Sequence, residues 1–124
     1  MRASAFLATG DWRSAVADMR IKLEQTRALF LQNARDARVD PDKDTRMRLY
    51  AAHYTIMENA AALTSLAIRT CGGQSMLKSL PLERLYRDSR CGSLMLPWTA
   101  ELCIDRLGRE CLYEAGERDE AIEP

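Results

Sequence analysis

The 124-residue sequence has no CxxC pair, a single histidine, no excess of either charge and no long apolar run. Each absence closes a class of function. Cys71, Cys91, Cys103 and Cys111 are too scattered, and His53 too solitary, to read as zinc ligands. With no secretion signal in residues 1–10, whose apolar patch is only Phe6 and Leu7, the four thiols read as reduced and buried rather than as a disulfide framework. Eighteen basic residues balance eighteen acidic ones, so nothing electrostatic points to nucleic acid or an anionic membrane. Fifteen of the basic residues are arginine, interleaved with acids as on solvated helix faces. No segment approaches the roughly 20 apolar residues that span a bilayer. A cytoplasmic protein is expected.

What is present suffices for one core: 47% of residues are apolar and 29% charged. From Asp11, an expected N-cap, the positions Trp12, Val16, Met19, Leu23, Thr26, Phe30 and Ala37 follow steps of four and three, broken only at Asn33. Such a stripe predicts a long helix packed on another at a shallow angle. Residues 38–44, with Pro41 and three aspartates from Asp40 to Asp44, stop it and offer caps for the next. A second stripe, Met47, Tyr50, Tyr54, Met57, Ala61, Thr64, Ile68 and Cys71, runs to Gly72-Gly73. Together they predict an antiparallel pair. A shorter helix is expected from Pro81, turning Leu82, Leu85 and Tyr86 inward, and another from Thr99, burying Leu102, Cys103, Leu107 and either Cys111 or Leu112. Residues 114–124 carry five acids against Arg118 and read as a solvated tail. With no strand alternation and no repeat, the expected fold is all-α, an up-and-down helical bundle over residues 11–113, preceded by a lead-in at 1–10.

Two segments are more specific. Arg69-Thr70-Cys71-Gly72-Gly73-Gln74-Ser75, followed by Pro81-Leu82-Glu83-Arg84-Leu85-Tyr86-Arg87-Asp88, resembles the acyl-CoA dehydrogenase pattern Q-x-x-G-G-x-G … P-x-E-[KR]-x-x-R-D at matching spacing. Val16-Ala17-Asp18-Met19, then Leu23-Glu24 and Arg27, resembles that family's L-A-D-M-x-x-x-[LI]-E-x-x-R helix. The resemblance covers residues 13–109 and implies the family's C-terminal helical bundle. It implies FAD as cofactor and removal of hydrogen across the Cα–Cβ bond of an acyl-CoA. It also implies that an N-terminal helical domain, a β-barrel domain and the first long helix of the bundle would lie ahead of Met1, and that the bundle mediates dimer or tetramer contacts.

The resemblance further implies that Gly72 and Gly73 let the backbone approach the dinucleotide of a neighbouring subunit's FAD, although Gly-Gly is equally a helix terminus. Arg69 stands where the family has glutamine, and Ser75 where it has a third glycine. Arg69 offers a planar fork suited to pyrophosphate. Arg87 and Asp88 match the family's R-D pair and read as a local charge network with Glu83 and Arg84. Continuing without a gap, the family's E-G-T, which carries the glutamate base in many members, falls on Leu96-Pro97-Trp98. Leucine cannot take a proton. Glu101 is the nearest downstream carboxylate, in a helix first turn where the dipole alone favours it. Trp98 and Thr99 occupy the flavin-facing turn, with Trp98 either in a pocket or packed as core. The expected function is therefore a fragment or subunit of an acyl-CoA dehydrogenase-like flavoprotein, inactive alone. The alternatives are a flavin-dependent monooxygenase-like subunit, which needs no glutamate base, and a non-enzymatic oligomerisation module.

Overall fold

A computed structural model describes residues 12–113. The expected Asp11 cap and the acidic tail lie outside the described residues. Four helices follow in order: α1 (Trp12–Asp36), α2 (Lys43–Cys71), α3 (Leu82–Gly92) and α4 (Ala100–Leu112), with a 3-10 turn, Gly73–Met76, after α2. No strand occurs among the described residues. The all-α expectation holds.

Local chemistry sets the ends. Asp42 caps α2, its carboxylate accepting from the Thr45 N–H at 2.7 Å, and Thr99 caps α4 by accepting from the Leu102 N–H at 3.3 Å. The α2 C-terminus closes on Gly72, at φ 80°, whose N–H donates to Ile68 O at 2.8 Å. Leu82 opens α3 directly behind Pro81.

Among the described elements, α1, α3 and α4 each pack substantially on α2 and not on one another. The core is correspondingly thin: the buried apolar residues are Ala15, Ala52, Ala61 and Cys103.

Several expected inward positions are corrected. Of the α1 stripe, Met19, Leu23 and Thr26 are half-buried while Trp12, Val16, Phe30 and Ala37 are exposed, Val16 and Phe30 at 49% and 60%, because α1 is rolled so that Ala15, beside the stripe, takes the buried position. Leu85 points outward from α3, and both Cys111 and Leu112 are exposed on α4. All four cysteines are free, as expected, but Cys103 alone is buried; Cys71 is half-buried, and Cys91 and Cys111 face solvent. With three helices splayed around one, an apolar period does not by itself choose which arc is covered.

Candidate functional site

The segment between α3 and α4, residues 93–99, is fastened along α2. Ser93, nearly buried, donates from Oγ to Glu58 Oε1 at 2.7 Å. The Ala100 N–H donates to Ser93 O at 2.9 Å, closing the loop on itself. Further along, His53 Nε2 lies 3.3 Å from the Trp98 carbonyl oxygen, and the Trp98 and Tyr50 rings sit 5.4 Å apart at 37°. The Arg106 guanidinium from α4 lies 4.9 Å from the Trp98 centroid and 5.8 Å from that of Tyr50. It also reaches Tyr50 Oη at 3.5 Å. Arg46 continues the seam with Glu110 at 3.2 Å. Contacts therefore descend α2 from Glu58 through His53, Tyr50 and Arg46 while the facing segment ascends from Ser93 to Glu110, as an antiparallel packing requires.

Trp98 is thus part of a cation-aromatic stack that knits α2, the loop and α4 together. Beside it Asn33, Val39, Pro41, Leu49, Tyr50 and His53 line a cavity of about 460 Å³. Leu96 projects outward, 77% exposed, alongside Leu94 and Met95 at 63% and 64%. Glu101 is exposed in the first turn of α4. Among the described residues, the carboxylate tied into this segment is Glu58, and it is engaged by Ser93. Burial pushes the Cys103 thiol up, with Arg106 pulling the other way, so Cys103 is not primed as a nucleophile.

Arg69, Gly72 and Gly73 form a separate cluster at the far end of α2. Arg69 is 16 residues beyond His53 in one helix, which is about 24 Å at 1.5 Å per residue. Ser75, fully buried, donates from Oγ to Gly72 O at 2.6 Å and folds the 3-10 turn back under the helix end. The five cofactor candidates are therefore not brought together. A Cβ on Gly73 would meet nothing within 4 Å, so nothing in this chain requires glycine there. Thr99 spends its hydroxyl on the cap, and the indole of Trp98 lies against Arg106. By themselves these residues do not enclose a flavin. Arg87 pairs locally, 3.7 Å from Glu83 and 3.8 Å from Asp88.

The profile of the family described as acyl-CoA dehydrogenase, C-terminal domain, matches residues 5–96. The chain belongs to this family. Among curated relatives, the acryloyl-CoA reductase (NADH) of Anaerotignum propionicum is 38% identical over 78 residues, covering 60% of this chain and 18% of the relative. The L-evernosamine nitrososynthase of a Micromonospora strain is 33% identical over 97 residues, 73% of this chain and 23% of the relative. The chain thus spans about a fifth of the length of these relatives. No solved structure matches significantly. Acyl-CoA dehydrogenase family members are flavoproteins and typically oligomers. Among the described residues no helix is long and apolar enough to cross a membrane, and no cluster of metal-ligating side chains occurs.

The partners of Trp98 were not anticipated from sequence. A signal existed: Arg106 interrupts the apolar side Leu102, Cys103, Leu107 of α4, and His53 interrupts a run of alanines and aromatics in α2. A lone polar group at an inward helical position points to a specific partner.

Proposed function

We propose that this chain is the C-terminal helical part, as domain, fragment or subunit, of an acyl-CoA dehydrogenase-like, FAD-dependent oxidoreductase acting in the cytoplasm, and that it supplies scaffold rather than chemistry. The carrying observation is the base position. Desaturation of an acyl-CoA needs a carboxylate above the α-carbon while the flavin accepts hydride from the β-carbon. Here that position is Leu96, solvent-facing, and the carboxylate tied into the loop, Glu58, is held by a serine hydroxyl.

The chain's own residues build a rigid floor. Arg106, Tyr50 and His53 fix Trp98 and with it the backbone of residues 96–99, which would lie beside a flavin held by other domains. Such a subunit works in a homo-oligomer or with a larger family member that carries the missing parts. Purified chain with added FAD is expected to turn over no acyl-CoA, and a flavoprotein is expected to co-purify when the chain is isolated from its source. Turnover by the chain alone would refute the reading.

A second reading is a flavin-dependent monooxygenase-like subunit. It is favoured by the wider cover, 73% of the chain, of the similarity to the nitrososynthase, and it needs no base at Leu96. In the assembled complex, acyl-CoA oxidation with an artificial electron acceptor supports the first reading. Oxygen-dependent consumption of reduced flavin without acyl-CoA oxidation supports the second.

A further inference from the structure

We draw no further inference here: the strongest candidate, the apolar groove of about 470 Å³ between α2 and α4 that Tyr50, Tyr54, Cys103, Ile104, Leu107 and Cys111 line, is an unpartnered face, and nothing in the structure shows what covers it.

Discussion

At the scale of single residues, Gly72 and Gly73 share a motif and separate in physics. Gly72 sits at φ 80°, where an added Cβ is strained whatever the surrounding space. Gly73 has open space in place of a Cβ. Gly72→Ala is expected to lower stability by about 1 kcal/mol or more, and Gly73→Ala to stay within about 0.5 kcal/mol. Urea unfolding of the two variants measures the difference. Equal losses would show that the structural account of the helix end is wrong. A stability-neutral Gly73→Ala that nevertheless weakens association with a flavoprotein would assign Gly73 to a cofactor held elsewhere.

At the scale of elements, the caps decide where helices begin, and one of them titrates. The Asp42 carboxyl is held below its ordinary range first by the Thr45 N–H, then by the Thr45 hydroxyl, with Arg48 and Arg46 adding to it. A depressed folded pKa means that the stabilisation is present above the unfolded value, near 4, and lost as pH falls through the folded one. Asp42→Asn keeps a capping oxygen but removes the titration. The urea midpoint of the parent chain is therefore expected to fall more between pH 7 and pH 2 than that of Asp42→Asn. Parallel falls would deny the cap this role. Helix existence, the two long stripes, and the starts at Pro81 and Thr99 were all legible in the sequence, because period and cap chemistry are local. Facing directions were less so. Phe30 and Leu85 satisfy the apolar period and still face outward, since the covered arc depends on which neighbours are present. The assignment of Leu96 to the base position rests on motif spacing alone, whereas the contacts of Trp98 with Tyr50 and His53 join positions 48 and 45 residues apart in sequence.

At the scale of the molecule, α2 is the helix on which each of the other described helices packs. Local opening of α1, α3 or α4 need not disturb the remaining pair, whereas opening α2 dissolves all three interfaces. Native-state hydrogen exchange is expected to be slowest in residues 52–61, between the buried Ala52 and Ala61. Faster exchange should appear in α3 and in both ends of α1. Uniform protection across all four helices would mean that the bundle opens as a single cooperative unit.

The connection between α1 and α2 carries a last consequence. Val39 is fully exposed in this short linker, and α1 has α2 as its one substantial partner helix among the described residues. A protease nick at Val39 would turn an intramolecular helix pair into a bimolecular complex, and the first fragment would then leave on dilution. The chain is in this sense a ready-made split protein: two pieces whose reassembly depends on concentration, and whose first piece can be exchanged for another helix of the same pattern.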